Sequence, residues 1–305
     1  MRVAFSLSFA LAVLVHAIPG AQAPPFSVVV RGGPAQPGSV LEIRIQAPEG
    51  ASDPQGTAFE RPLAFAPGDE PRTWRALVGV DVAQLPGLAT FRIDFATPAG
   101  RELATTGTIT VAPRVFATRR LRVAGQFVDP PPVELARIRD EAERLEAIFG
   151  TVTIPDRIEA FVPPVPGVPG GNFGSRSVFN GEPRAPHAGV DFRGSTGTPI
   201  GAPGGGRVIM AEELFFTGQT VVIDHGLGLY SLLAHLSRTD VLPGARVVRG
   251  DIVGLLGATG RVTGPHLHWT VRLGGARVDP LRLVALLAPA HSGAAAERRS
   301  RPAAR

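Results

Sequence analysis

The sequence predicts an all-β protein of two domains joined by one helix, and three observations support this class. With 305 residues, the chain is long enough for two domains that each have their own core. Its 37 glycines and 30 prolines separate short runs of valine, isoleucine, threonine and phenylalanine, as is typical of strands joined by tight turns. Helical spacing of apolar residues occurs in a single stretch near the middle of the chain.

The first 23 residues resemble a secretory signal peptide. One arginine precedes an apolar run from Val3 to Val15, which is too short to cross a bilayer comfortably and ends in small residues. Residues 21–23 and Ala17 are alternative cleavage sites. We therefore expect an exported protein, periplasmic or secreted, with an uncleaved membrane anchor as the alternative. Because the chain has no cysteine, the exported fold must be stable without disulfides.

Residues 24–113 predict an immunoglobulin-like β-sandwich. Short alternating segments separated by Gly/Pro turns recur at nearly regular intervals, namely FSVVV, VLEIRIQ, WRALVGVDV, ATFRIDFATP and TGTITVAP. No catalytic pattern occurs in this half of the chain, so we interpret it as a spacer or binding module.

Residues 114–172 predict a linker that contains a helix over residues 131–149. Prolines begin this helix, where a missing N–H does no harm. The apolar residues at helical spacing are Leu135, Ile138, Ala142, Leu145 and Phe149. We expect this stripe to pack against a domain, and the segment FVPPVPGVPGG then marks the boundary to the next domain.

Residues 173–288 predict a second β-domain, a folded-over antiparallel sheet whose dense glycines permit tight hairpins. These glycines do not predict phosphate binding, because no Gly-Lys-Ser/Thr and no helix follow them. Residues 289–305 are rich in arginine and small residues and predict a disordered basic tail. The net charge of +5 is modest and no basic stripe with interleaved aromatics is present, so we expect no nucleic-acid partner.

Two histidines, His266 and His268, lie in the segment HLHWTVRL, which alternates polar and apolar residues as a strand does. Residues two apart on a strand share a face, so both imidazoles and Thr270 are predicted on one side, with Leu267 and Trp269 on the other. Taken alone, this pair is equally compatible with a polar surface and with a metal or catalytic site.

His187 and Asp191, four residues apart in the segment APHAGVDF, favour the metal site over the polar surface. Together with one histidine of the strand pair they provide three zinc ligands, which leaves the fourth position of a catalytic zinc for water. His235, in YSLLAHLS, is either a buried structural histidine or part of this site. Arg176 and Asn180 precede His187 in a loop, where they either contact substrate or brace the loop.

Three segments, NGEPRAPHAGVDF, VVIDHGLGLYSLLAHLS and GATGRVTGPHLHW, resemble in order and spacing the signatures of the lysostaphin/LytM-type zinc metallopeptidases. The resemblance implies the duplicated hybrid motif fold of that family for the C-terminal domain. It implies one Zn²⁺ per chain, held by His187, Asp191 and His268, with His235 and His266 as catalytic histidines without a metal bond. It also implies a peptidoglycan peptide as substrate, cleaved by a zinc-bound water, and we expect a D-Ala–diaminopimelate cross-link to be the bond.

One position departs from the family pattern. Many relatives have a tyrosine two residues before the central histidine, where this chain has Leu233, and the single tyrosine of the chain is Tyr230. A hydroxyl that stabilises the oxyanion is therefore not identified by the motif. The alternative function is a non-catalytic or latent wall-binding member that regulates another hydrolase through an unknown protein partner. The complete set of ligands and histidines favours the enzyme.

Overall fold

The structure is a computed structural model that describes residues 26–97, 100, 102–155 and 158–288. The predicted signal peptide and the predicted basic tail lie outside the described residues. In the described part, strands and turns dominate, with two α-helices, and the predicted all-β class is confirmed. No helix among these residues is long and apolar enough to cross a membrane.

The N-terminal domain is a sandwich of two four-stranded antiparallel sheets. Its strands are β1 (Ser27–Arg31), β2 (Val40–Gln46), β3 (Gln55–Ala58), β4 (Arg61–Pro62), β5 (Phe65–Pro67), β6 (Thr73–Gly79), β7 (Gly87–Ala96) and β8 (Glu102–Val111). One sheet has the order β1-β2-β6-β5 and the other β4-β3-β7-β8. Alternation along β8 buries every second residue, which is the pattern that a strand with one solvated face requires.

The linker adds β9 (Thr118–Leu121) and α1 (Pro132–Phe149). β9 pairs in parallel with β10 (Arg176–Phe179), which forms a hairpin with β11 (Glu182–Pro183). The end of α1 packs on the C-terminal domain through Leu145, Ile148 and Phe149. Leu135 remains 46% exposed, so only the second half of the expected apolar stripe is used.

The C-terminal domain is a nine-stranded antiparallel sheet followed by a short helix. Its elements are β12 (Gly189–Arg193), β13 (Pro199–Gly201), β14 (Gly206–Leu214), β15 (Gly218–Asp224), β16 (Leu229–Thr239), β17 (Arg246–Val247), β18 (Ile252–Leu256), β19 (His266–Leu273), β20 (Ala276–Val278) and α2 (Pro280–Leu286). The main order is β12-β19-β16-β15-β14-β17, while β18 pairs with β13 and β16, and β20 with β19.

Apolar and polar side chains alternate along β12 and β19, so the core residues lie on one face of the sheet and the candidate site residues on the other. Val190, Phe192, Leu267 and Trp269 are all at most 1% exposed and belong to the core of this domain. Burial of each such side chain stabilises the fold by about 1.5–3 kcal/mol. The intervening residues point to the opposite face, so the packed core fixes the positions of the polar side chains between them.

The two domains share part of one core. Leu77 of the N-terminal domain clusters with Leu273 and Val278 of the C-terminal domain. An ion pair flanks this contact, with Arg277 Nη2 2.7 Å from Asp81 Oδ1. Because the domains meet through apolar packing and charge-assisted hydrogen bonds, the sheet of the C-terminal domain is held in a fixed relation to the sandwich.

Candidate metal centre and catalytic cleft

Strand pairing brings Asp191 and His268 together. β12 and β19 are antiparallel neighbours, and their register places Asp191 directly opposite His268 and Arg193 opposite His266. Directly opposed residues have side chains on the same face of a sheet. Two positions far apart in sequence therefore meet as a consequence of the register.

Three donor atoms converge at this point. Oδ1 of Asp191 lies 3.1 Å from Nε2 of His187 and 2.9 Å from Nδ1 of His268, and the three ligand atoms all lie within 4.8 Å of one another. Ligands about 2.0–2.2 Å from a tetrahedral ion are roughly 3.3–3.6 Å apart. The donor set and its spacing thus fit a zinc ion.

Neighbouring side chains orient two of these ligands. The Thr270 hydroxyl lies 2.9 Å from Nε2 of His268. When Thr270 accepts the Nε2 proton, Nδ1 of His268 is free to bind a metal. Asn172 bonds Asp191 twice, because its amide donates to Oδ2 and its carbonyl oxygen accepts the Asp191 N–H.

Asp191 is held in its ionised form. Burial alone would raise its pKa, but hydrogen bonds from His187 and His268, and their positive charge when protonated, lower the pKa well below its usual range. Arg119 of β9 adds a positive charge, with Nη1 3.8 Å from Oδ2. An ionised carboxylate is the form that binds a metal.

A β-bulge places His235 beside the ligand cluster, with its ring centre 5.9 Å from that of His268. Between Leu233 and Leu236, two residues of β16 oppose the single Thr220 of β15, and His235 has φ +67°, in the left-handed region. Such a bulge re-aims a side chain that regular pairing would place elsewhere. The N–H of His235 is satisfied by the carbonyl of Thr217, 2.8 Å away.

Both candidate catalytic histidines have a fixed tautomer. Nδ1 of His235 lies 2.8 Å from the carbonyl oxygen of Thr259, and Nδ1 of His266 lies 2.8 Å from that of Gly264. Because a carbonyl only accepts, each Nδ1 carries a proton, which makes Nε2 the acceptor in the neutral ring.

The environment keeps His235 neutral. Burial first, and then the neighbouring charges of His268 and His266, lower the pKa of His235 to about 3. Its ring centre lies 4.8 Å from that of His266. Nε2 of His266 in turn lies 3.8 Å from Oδ1 of Asp191, so the pair borders the metal centre.

The remaining sequence candidates do not join this cluster. Asn180 bonds the backbone of Val123 through both amide atoms, at 3.1 and 2.9 Å, so it braces the linker. Arg176 lies exposed on β10. The hydroxyl of Tyr230 donates to the carbonyl of Thr151 on the helix side of the sheet, and burial raises the pKa of Tyr230 to about 12. The only tyrosine of the chain is therefore not part of the metal centre.

Three groups that contact the site residues are not predicted from the sequence: Asn172, Arg119 and the carbonyl of Thr259. None has a regular spacing to a histidine motif, and each is brought to the site by a loop or by the linker. Thr270, by contrast, can be predicted from the sequence, because it lies two residues after His268 and therefore on the same face of the strand.

Comparison with known proteins gives the class of this domain. Residues 185–280 match the model of peptidase family M23. A crystal structure described as a peptidase M23 from Pseudomonas aeruginosa is 30% identical, with a TM-score of 0.61, and the match covers 83% of this chain and 96% of that chain.

Curated relatives match over the same domain. The peptidoglycan DD-endopeptidase ShyA of Vibrio cholerae is 43% identical over 98 residues, which are 32% of this chain and 23% of that protein. The DD-carboxypeptidase/endopeptidase Mpg of Neisseria meningitidis is 39% identical over 103 residues, 34% of this chain and 24% of that protein. The chain thus matches about a quarter of the length of these relatives.

The fold, the histidine–aspartate cluster and these matches define a metallopeptidase domain. The chain belongs to peptidase family M23. The resemblance to lysostaphin/LytM-type peptidases drawn from the three motifs is confirmed, as is the prediction of a metallopeptidase.

Proposed function

We propose that this protein is a zinc-dependent endopeptidase that hydrolyses peptide bonds of bacterial peptidoglycan, at D-Ala–diaminopimelate cross-links. The observation that carries the proposal is the convergence of His187, Asp191 and His268 beside His235 and His266. The name of the relative ShyA, a peptidoglycan DD-endopeptidase, supports the substrate class.

The ligands His187, Asp191 and His268 would hold the zinc ion. When bound there, zinc polarises the scissile carbonyl and lowers the pKa of water toward neutrality. The protein's own residues supply the proton transfers. His266, through its free Nε2, accepts a proton from the attacking water and then donates it to the leaving amine. His235 remains neutral, so its Nε2 accepts a hydrogen bond that orients the water or the substrate.

The alternative is a non-catalytic or latent member that regulates another hydrolase. The complete set of three ligands and two tautomerically fixed histidines favours catalysis. We further propose that the protein is exported, since its substrate lies outside the cytoplasmic membrane and its first 23 residues have the pattern of a signal peptide.

Digestion of purified diaminopimelate-type peptidoglycan tests this function. The full protein is incubated with the polymer, with and without a metal chelator, and the soluble products are identified by mass spectrometry. We expect cross-linked dimers to be converted to monomers by the wild type but not by His266→Ala or in the presence of chelator. Dimers that persist with a protein shown to contain stoichiometric zinc would contradict the endopeptidase and favour the regulatory alternative.

A further inference from the structure

Arg261, on the loop between β18 and β19, is held between two aromatic rings. Its guanidinium carbon lies 4.6 Å from the ring centre of Phe216, in the turn between β14 and β15. It lies 4.9 Å from the ring centre of Phe179, at the end of β10. Contacts with ring faces fix the position of a guanidinium and leave N–H groups at its edge available for a ligand.

The charge of Arg261 has no acidic partner among the described residues. Among the described residues, no ion pair or side-chain hydrogen bond to a carboxylate involves this guanidinium, and the charge that acts on it is that of another arginine, Arg184. Burial lowers the pKa of Arg261, and the charge of Arg184 lowers it further. A partly buried cation without a counter-charge is unfavourable, so an anionic ligand at this point would be stabilising.

The loop that carries Arg261 also contacts a histidine of the candidate site. Two residues earlier, the carbonyl of Thr259 accepts the Nδ1 proton of His235. The N–H of Arg261 donates to the carbonyl of Phe216 at 2.9 Å, and the next carbonyl, of Thr217, accepts the N–H of His235. The same two segments therefore position both the guanidinium and a histidine of the site.

We propose that Arg261 is a specificity-determining residue that binds a carboxylate of the substrate beside the scissile peptide bond. This inference rests on the proposed endopeptidase function. In a D-Ala–diaminopimelate cross-link, the carbon bonded to the scissile nitrogen carries a free carboxylate, whereas a lysine cross-link or a glycine bridge carries none there. A guanidinium matches a carboxylate through two parallel hydrogen bonds, which a neutral carboxamide cannot reproduce.

Two synthetic cross-linked peptides that differ in one group test the proposal. In one peptide the carboxylate beside the scissile amide is free, and in the other it is a carboxamide. The readout is the ratio of kcat/KM for the two, which a general loss of activity does not move. For the wild type we expect a preference on the order of 10–100-fold for the free carboxylate, the range of a charge-assisted hydrogen bond.

Variants then test whether Arg261 causes that preference. In Arg261→Gln the ratio is expected to fall close to one, because the charge is lost. Arg261→Lys keeps the charge but loses the planar fork, so an intermediate ratio is expected. Arg246→Gln serves as the matched control, because Arg246 is exposed on β17 at the far edge of the sheet, and it is expected to retain the wild-type ratio.

Each outcome is decisive. A wild-type ratio near one, or a preference that Arg261→Gln leaves unchanged, overturns the role of Arg261 while leaving the endopeptidase function intact. If the zinc-loaded wild type cleaves neither peptide, the endopeptidase function itself fails and the role of Arg261 fails with it.

Discussion

Gly189 lies between His187 and Asp191, two of the three residues proposed to hold zinc, and the structure predicts that Gly189→Ala damages the site. A Cβ at this position would lie 2.4 Å from the carbonyl oxygen of Trp269 and 2.8 Å from Cε1 of His268. The first contact is with backbone of the paired strand β19, so no flexible side chain can move to relieve it. Because Gly189 does not have a positive φ, the effect is steric rather than conformational.

The expected magnitude follows from these contacts. Relief of the overlap requires β12 to move away from β19, and overpacking of this kind costs about 1–3 kcal/mol. The same movement separates Asp191 from His268, which are now 2.9 Å apart. Displacement of metal ligands by altered neighbours typically weakens metal binding about 10–100-fold.

The assay has two readouts, zinc affinity by competition with a chromophoric chelator and the melting temperature of the metal-free protein. We expect Gly189→Ala to bind zinc about 10–100-fold more weakly and to melt roughly 3–10 °C lower. Gly125→Ala is the control, because its Cβ would meet no atom within 4 Å. If Gly189→Ala binds zinc as tightly as the wild type and melts no lower, the steric reasoning is wrong.

Three further predictions concern stability. Burial alone would raise the pKa of Asp81, but hydrogen bonds from Arg277 hold it below its usual 3.8. Asp81→Asn should therefore lower the free energy of unfolding by about 1–3 kcal/mol at neutral pH. That difference should disappear in urea titrations as the pH falls below 3.8, since a depressed carboxyl pKa stabilises only while the group is ionised. Glu141 accepts the backbone N–H of Phe215 at 2.8 Å, so Glu141→Ala should destabilise the protein by about 1–3 kcal/mol and accelerate hydrogen exchange at the Phe215 amide. An unchanged exchange rate would contradict this. Zinc at about 100 times its dissociation constant should stabilise the wild type by about 2.7 kcal/mol in thermal melts, and equal stabilisation of Asp191→Ala would place the metal elsewhere.

Periodicity and motif order predicted most of the site. The alternation of HLHWTVRL placed His266 and His268 on one face, and the structure buries Leu267 and Trp269 on the other. The strand register places Asp191 opposite His268, a pairing that periodicity alone does not predict.

Other features depend on long-range contacts that leave no local signal. His235 joins the candidate site because of a bulge with a positive φ, which the apolar run around it does not predict. On α1, the expected apolar stripe included Leu135, yet the helix turns so that Glu141 is buried and accepts a hydrogen bond from the turn after β14. Helical spacing identifies an apolar stripe, but the surface opposite the helix decides which part of it is covered.

Anomalous diffraction at the zinc edge from crystals of the zinc-loaded protein tests the central claim most directly. We predict one zinc peak per chain, ligated by His187, Asp191 and His268, with His235 and His266 outside the metal shell. A peak bound by a different set of residues, or no peak at this cluster, would contradict the account of the site.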